Sequence, residues 1–231
     1  MKLLFVASDV MEFRGLLRHC NPARAPDLPL AWSRTGFHGN HQILLTANGA
    51  GAHRAAAAVD AALASFQPDA IVSMGFCGAL DPDLAIADIV GGSTIFAAGR
   101  AFAAQLPAAG RPHGLGPICS LDHVAQTAAE KSQLHATGAI AVEMEAAGVA
   151  ERAQSLGLPF FCIKSVTDLA GETMANDFNA ALRSDGRFDT IKVLASSLGR
   201  PWVRLPELFR LRARCVLAAR SLGDFIADCR F

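Results

Sequence analysis

The 231-residue sequence lacks a net charge and any long apolar run, and each absence removes a class of function. Lys+Arg and Asp+Glu number 21 each, so there is no global electrostatic reason to expect a nucleic acid partner. No apolar run approaches the roughly 18 to 20 residues of a spanning helix, and Asp9, Glu12 and Arg14 come too early for a signal peptide. With 52% hydrophobic residues, the chain predicts a folded, cytoplasmic protein.

Paired cysteines and clustered metal ligands are also missing. The six cysteines form no Cys-x-x-Cys motif, and a chain of this size does not need disulfides, so we expect mostly buried thiols. His38 and His41 are three residues apart, but the Gly-Asn between them is typical of a turn. We therefore expect no metal site and no organic cofactor.

Short apolar runs alternate with helical patterns along most of the chain. Predicted strands span 2–8, 42–47, 70–74, 89–96, 139–142 and 160–166, and predicted helices span 52–66, 126–137 and 144–156. This alternation predicts an α/β fold of three layers, α/β/α, around a central mixed, mostly parallel sheet. The Gly/Pro/Ala-rich stretch 99–117 predicts a loop with a little helix.

In such sheets, ligands bind beyond the carboxyl ends of the strands, where polar residues follow several of the apolar runs. These polar segments are 8–12, 48–51, 73–78, 143–145 and 167–168. Gly49-Ala-Gly51 is half of a dinucleotide fingerprint, but Arg54 stands where the third glycine should be, which argues against NAD. The turn either offers its amides to an anion or a ribose hydroxyl, or only lets helix and strand pack closely.

Two acidic residues, Glu143 and Glu145, flank Met144 where a buried strand turns into an alanine-rich helix. A carboxylate there could simply cap the helix, because the helix dipole favours it. A second carboxylate, Asp168, ends the neighbouring apolar strand. Together these acids indicate a functional site rather than surface residues.

These segments resemble the nucleoside phosphorylase/nucleosidase superfamily, which includes purine nucleoside phosphorylases and methylthioadenosine/S-adenosylhomocysteine nucleosidases. The matching motifs are the first strand with residues 9–12, then NGAGAHRAAAA, SMGFCGAL, AIAVEMEAAGVA and IKSVTDLAG, in the family's order between residues 2 and 172. The resemblance implies a nucleoside phosphorylase-like fold, cleavage of an N-glycosidic bond and a homo-oligomer, with a dimer favoured.

The resemblance also implies a role for each matching residue. Asp168 matches the general acid that donates a proton to purine N7, a task that requires a raised pKa. Glu12 matches the acid that orients or deprotonates the attacking water, although it could instead be an exposed residue of a helical first turn. Glu145 matches the carboxylate that binds the ribose hydroxyls, and Met144 the side chain that packs on the sugar. Further candidate substrate contacts are Glu143, Phe76, His123, Val124, Gly49 and Gly51.

Either water or phosphate could be the nucleophile. Phosphorylases of this superfamily clamp phosphate with arginines, and one of these commonly precedes the glycine motif, where this chain has Ser73. The difference favours hydrolysis, with phosphate as the alternative co-substrate. Phe76 replaces a small polar residue expected in the nucleosidases, which leaves the substrate open.

Residues 200–231 predict an Arg-rich helical extension of the catalytic domain 1–199. Together with EKSQLHATGAIAVEMEAAGVAERAQSLGLPF and RSDGRFD, this tail looks like the hopanoid-associated phosphorylase group, whose proposed reaction removes adenine from adenosylhopane. It contains seven arginines and three acidic residues, so the helix could lie on the inner membrane surface or pack on its own domain or a partner subunit. The leading hypothesis is hydrolytic release of adenine from an adenosine-type nucleoside; a non-catalytic nucleoside-binding protein and a membrane-associated scaffold are the rival classes.

Overall fold

The computed structural model describes residues 1–231, apart from the side chain of Pro22. The strands are β1 (Lys2–Ala7), β2 (Asn21–Pro22), β3 (Trp32–His38), β4 (His41–Ala47), β5 (Ala70–Ala79), β6 (Ile89–Ala97), β7 (Arg100–Ala103), β8 (Gly114–Ser120), β9 (Ala141–Glu143) and β10 (Phe160–Asp168). The α-helices are α1 (Ala52–Leu63), α2 (Ala128–His135), α3 (Ala146–Leu156), α4 (Phe178–Ala181), α5 (Thr190–Ser197) and α6 (Pro201–Asp228). Two short 3₁₀ helices, Val10–Phe13 and Leu16–Arg18, follow β1.

All ten strands join one mixed sheet, which confirms the predicted fold class. The strand order is β10-β6-β8-β9-β5-β1-β4-β3-β2, with β7 paired to β6. Strand β10 also pairs with β5, so β5, β10, β6, β8 and β9 close into a ring at one end of the sheet. Strands β1, β4, β5 and β10 run parallel to one another, and their carboxyl ends meet at one edge.

The sheet lies between two helical layers because its strands are apolar on both faces. Leu4 and Val6 of β1 face the core shared with α1 and α3, whereas Leu3 and Phe5 face the core shared with α6. Full burial of each such side chain contributes roughly 1.5–3 kcal/mol. The three-layer α/β/α arrangement predicted from the sequence is therefore present.

The prediction of a loop with a little helix over 99–117 was wrong, because β7 and the first residues of β8 lie there. Phe102 and Ile118 are buried and anchor these strands in the core. Gly116 permits the pairing, since a Cβ at that position would lie 2.9 Å from Ile140 side-chain atoms. Glycine and proline inside a strand hide the alternating pattern on which the sequence reading depends.

Helix α6 has two unlike halves. Its C-terminal half buries Leu222, Phe225 and Ile226 against the sheet. Its N-terminal half leaves the side chains of Trp202 and Phe209 91% and 74% exposed. Among the described residues, none of the helices has both the length and the apolarity needed to cross a membrane.

Candidate active site

Glu12 is buried at the carboxyl end of β1, with 3% of its surface exposed. Its Oε2 accepts hydrogen bonds from the amides of Ser8 at 2.7 Å and Asp9 at 3.0 Å, and from Ser8 Oγ at 2.9 Å. Its Oε1 accepts from the Phe76 amide at 2.8 Å. The alternative of an exposed first-turn residue was therefore wrong; the 3₁₀ helix turns the side chain inward.

Strand β5 approaches Glu12 closely because residue 75 is glycine. Gly75 has φ +146°, and a Cβ there would lie 2.5 Å from Glu12 Oε1. Burial raises the pKa of Glu12, while nearby Lys164 and the hydrogen bonds to this carboxylate lower it. A carboxylate whose proton affinity is raised in this way is suited to take a proton from water.

Lys164 is a buried cation that the sequence reading missed. It lies in the middle of β10, fully buried, with Nζ 2.8 Å from Glu143 Oε2 and 3.9 Å from Glu145 Oε2. The 2.8 Å contact is an ion pair without the alignment of a hydrogen bond. A lysine within the apolar run Phe160–Val166 was the signal, since a buried ammonium needs a carboxylate partner.

Glu143 and Glu145 have different environments although they are two residues apart. Glu143 accepts hydrogen bonds from the amides of Glu145 at 2.9 Å and Ala146 at 2.8 Å, so it caps the start of α3 as well as pairing with Lys164. Glu145 Oε1 accepts from the Gly51 amide at 3.1 Å. Burial, followed by the charge of Glu143, raises the pKa of Glu145 to about 8, and Lys164 opposes the rise.

The glycine turn before α1 has already bonded its amides within the protein. Gly49 N–H donates to Ser8 O at 2.9 Å, Ala50 N–H to Gly186 O at 2.8 Å, and Gly51 N–H to Glu145 Oε1 at 3.1 Å. Positive φ values of 88° at Gly49 and 107° at Gly51 allow this conformation. The turn thus fastens β1, residue 186 and Glu145 together.

Asp168 ends β10 and is 8% exposed. Its Oδ2 accepts a hydrogen bond from Lys131 Nζ, and its Oδ1 accepts from Thr167 Oγ1 at 3.1 Å. Burial raises the pKa of Asp168, and Lys131 gives the largest opposing effect. Gly78 leaves room for the carboxylate, since a Cβ there would lie 2.7 Å from Oδ2.

Strand β5 brings the two candidate catalytic carboxylates to one place. The Phe76 amide binds Glu12, and Gly78, two residues later, pairs with Asp168. Two residues of a strand span roughly 7 Å, so the two carboxylates contact β5 at neighbouring positions. Gly78 also pairs with Val142, so Glu143 and its neighbours come to the same edge.

His123 and Val124 form their hydrogen bonds with residues other than the candidate site carboxylates. The ring nitrogens of His123 lie 2.7 Å from Asp122 Oδ1 and 2.7 Å from Glu130 Oε1, which raises the histidine pKa. The backbone of Val124 exchanges two hydrogen bonds with Asn179, at 2.8 and 2.9 Å. The structure brings neither residue into hydrogen bonding with Glu12, Glu145 or Asp168. Met144 is buried, and Phe76 is half-buried.

Two cavities flank the loop that follows Asp168. The smaller, about 80 Å³, is lined by Asp168 with Glu172, Thr173, Met174, Phe178, Glu207, Arg210, Leu211 and Arg214. The other, about 440 Å³, is lined by residues 82–86 and 169–172 and contains none of the predicted site residues. Of the predicted site residues, only Asp168 lines the smaller cavity, so the β5 edge rather than either cavity defines the candidate site.

The sequence of the chain matches a known superfamily. The sequence profile of the phosphorylase superfamily matches residues 32–118 and 94–187, two overlapping segments that together cover more than half of the chain. The chain therefore belongs to the phosphorylase superfamily, and the predictions of this family and of an enzyme are confirmed.

The chain is similar to several nucleosidases. The 5'-methylthioadenosine/S-adenosylhomocysteine nucleosidase of Chromohalobacter salexigens is 26% identical over 193 residues, 69% of this chain and 82% of the relative. That of Lysinibacillus sphaericus is 25% identical over 224 residues, 84% of this chain and 97% of the relative.

Solved structures show the same fold over almost the whole chain. The Streptococcus pneumoniae MTA/SAH nucleosidase in complex with 8-aminoadenine has a TM-score of 0.74 at 19% identity, and the match covers 99% of this chain and 98% of the other. Futalosine hydrolase of Helicobacter pylori has a TM-score of 0.70 at 16% identity, with 98% and 95% covered.

Proposed function

We propose that the protein hydrolyses the N-glycosidic bond of an adenosine-type nucleoside and releases adenine. The observation that carries this proposal is the convergence of Glu12, Glu145 and Asp168 on the carboxyl end of β5 and the adjoining turns. The similarity to nucleosidases along most of the chain supports the same reaction.

Each carboxylate takes a different step. Glu12 accepts a proton from a water molecule, whose oxygen bonds to C1′ of the ribose as the bond from C1′ to N9 breaks. The electron pair of that bond moves onto the purine, and Asp168 donates a proton to N7. Glu145 accepts hydrogen bonds from the ribose hydroxyls, and Met144 packs on the sugar.

The other predicted substrate contacts divide into two groups. The amide of Phe76 donates a hydrogen bond to Glu12, and in this proposal the Phe76 side chain lines the substrate pocket. His123 and Val124 remain proposed contacts for the base. Glu143, Gly49 and Gly51 act through Glu145 in this proposal, because Glu143 shares Lys164 with it and the glycine turn binds its Oε1.

Water is favoured over phosphate by the glycine turn. Its three amides already donate to Ser8, Gly186 and Glu145, so they offer no cradle to an anion. Arg54, beside this turn, donates to the carbonyl of Ser184. Ser73 occupies the position where the superfamily's phosphorylases commonly carry an arginine.

Adenine release tests the proposal directly. Methylthioadenosine, S-adenosylhomocysteine, adenosine and adenosylhopane would each be incubated with and without phosphate, and D168N would be the control. We expect release without phosphate and a loss of about 10²- to 10⁴-fold in D168N, the range for general acid catalysis. Strict phosphate dependence would indicate a phosphorylase, and no release from any substrate would favour a nucleoside-binding protein.

Of these substrates, adenosylhopane carries the bulkiest apolar 5' substituent. The apolar surface around α6 favours a substrate of this kind. Helices α5 and α6 expose the apolar side chains Ile191, Leu194, Leu198, Trp202, Val203 and Phe209. Arginines lie between them, at 200 and 204 among other positions. We propose that this surface touches an anionic membrane, and that the protein forms a homodimer.

Sedimentation with phosphatidylglycerol vesicles tests the membrane contact. Truncation at residue 200 is unsuitable because it would remove Leu222, Phe225 and Ile226 from the core. The double variant W202S/F209S should lose most vesicle binding, while L156S, which changes an exposed leucine on α3, should keep it. Unchanged binding would contradict the membrane contact. A switch from dimer to monomer would assign the surface to subunit contact instead.

A further inference from the structure

Helix α2 has an unusual inward side. Lys131 is its one buried residue among those described, and none of its surface is exposed. Its Nζ donates to Asp168 Oδ2 and, at 2.7 Å, to the carbonyl of Leu169. The reaction scheme above does not use this lysine.

Stability alone gives no reason for a lysine here. Removing an ammonium group from water is costly, and apolar residues of similar volume often replace buried ion pairs without loss of stability. Apolar residues at both positions 131 and 168 would pack between α2 and the sheet with no desolvation penalty, whereas removing Lys131 alone would leave the Asp168 carboxylate without its cation. The charge is therefore expected to serve Asp168 rather than the fold.

We propose that Lys131 is a positioning residue that orients the Asp168 carboxyl group and sets which of its oxygens carries the transferable proton. The inference rests on the proposed function, since it assigns Asp168 as the general acid. Lys131 acts through Asp168 and makes no contact with substrate.

The hydrogen bonds of Asp168 specify the position of that proton. The ammonium group of Lys131 occupies Oδ2, so a proton on the carboxyl group belongs on Oδ1. Thr167 Oγ1 lies 3.1 Å from Oδ1 and 3.3 Å from the carbonyl of Cys77. Its single hydroxyl proton can turn to that carbonyl, which lets Oδ1 become protonated without losing a neighbour.

The charges around Asp168 leave Lys131 as the cation that touches it. Glu172, on the following loop, is bound by Arg214 of α6 through two hydrogen bonds of 2.7 and 2.9 Å. The remaining titratable groups that face Asp168 or its cavity are Cys77 of β5 and Glu207, Arg210 and Cys215 of α6. Because Arg214 forms both of these hydrogen bonds with Glu172, its positive charge balances Glu172 rather than Asp168.

The Lys131→Met variant removes the charge and keeps the volume. Without the neighbouring cation, the pKa of Asp168 should rise further, because the charge of Lys131 gives the largest effect that lowers it. Because Asp168 acts in its protonated form, the fall of kcat/KM at high pH should move to higher pH in this variant. At neutral pH, kcat should fall about tenfold or more with KM little changed, since an acid that holds its proton more tightly donates it less readily. Lys192→Met, on the exposed side of α5, is the matched control and should change neither quantity.

A double variant separates positioning from a general structural defect. If Lys131 acts through Asp168, adding K131M to D168N should cost less than about threefold in kcat, because the group it positions is already disabled. An equal loss in both backgrounds, or an unmoved pH profile, would overturn the proposal. Lys131→Gln provides a second uncharged variant if K131M does not fold.

Carbon-13 NMR of aspartate-labelled protein reads the pairing without turnover. The Asp168 carboxyl resonance, identified by its loss in D168N, should titrate at higher pH in K131M than in the unsubstituted protein. An unchanged titration would overturn the proposal. If no nucleoside is cleaved but the titration moves, the proposed function fails while the pairing of Lys131 with Asp168 stands.

Discussion

The two fully buried lysines, Lys131 and Lys164, differ in the number of carboxylates that share them. Lys131 faces Asp168 alone, next to a small cavity. Lys164 lies 2.8 Å from Glu143 and 3.9 Å from Glu145, and its charge also reaches Glu12. The Lys131 site pairs one cation with one carboxylate, whereas the Lys164 site has more carboxylates than cations.

The difference in charge balance affects the proton affinities of the acids at one sheet edge. Burial, together with repulsion from Glu143, raises the pKa of Glu145 to about 8. Burial also raises the pKa of Asp168, but a cation in direct contact limits the rise. Charge balance, rather than burial alone, distinguishes the two sites.

Removing each lysine should affect stability unequally, and this is the largest effect we expect. Lys164→Met leaves Glu143 buried without its cation and should lower the free energy of unfolding by about 3–5 kcal/mol. Lys131→Met should cost about 1–3 kcal/mol, because Asp168 keeps Thr167 and can take up a proton. Urea denaturation at neutral pH measures both.

Equal losses in the free energy of unfolding for the two lysine variants would contradict the difference between the two sites. Lys192→Met is the matched control, since its side chain is exposed and its loss should change stability by less than about 0.5 kcal/mol.

Glu12→Gln tests the chemical role proposed for a carboxylate near Lys164. The amide keeps an acceptor for the Phe76 amide but cannot take a proton from water, so kcat should fall about 10²- to 10⁴-fold with a smaller change in KM. Steady-state kinetics of adenine release measures it. Activity within threefold of the unsubstituted protein would show that Glu12 is not the base.

Glu145→Gln should change the pH dependence of stability. The raised pKa means that the native state binds a proton between about pH 4.5 and pH 8 that the unfolded chain has released. The free energy of unfolding of the unsubstituted protein should therefore decline as pH rises through this window, and the decline should be shallower in Glu145→Gln. Urea titrations across the window test this.

Glu151→Gln serves as the control for Glu145→Gln, because it replaces a half-exposed carboxylate on α3. It should leave the slope unchanged. Equal slopes for all three proteins would mean that Glu145 ionises in the native state much as it does in the unfolded chain.

Several elements were predictable because they carry strong local patterns. The apolar runs of β1, β4, β5 and β10 and the glycine that ends α3 marked most of the parallel strands and one helix boundary. The cysteines are free and, except for half-buried Cys215, buried, as predicted. By contrast, β7 and β8 depend on pairing with β6, and their glycines and proline concealed them.

The candidate site was only partly predictable for the same reason. Glu12, Glu145 and Asp168 follow apolar runs, so their places at strand ends could be read from local sequence. Lys131 could not, because a single lysine in a short polar helix looks exposed until α2 is placed against β10.

Local sequence was sufficient to predict the strands and helices with strong apolar periodicity and the carboxylates at strand ends, because these patterns are local properties of the chain. Which charges are buried together depends instead on tertiary packing. Lys131 is 37 residues from Asp168, and Lys164 is 21 residues from Glu143, so their pairing follows from packing. The proton affinities of these acids depend on burial and on neighbours within a few ångströms, and both exist only in the folded chain.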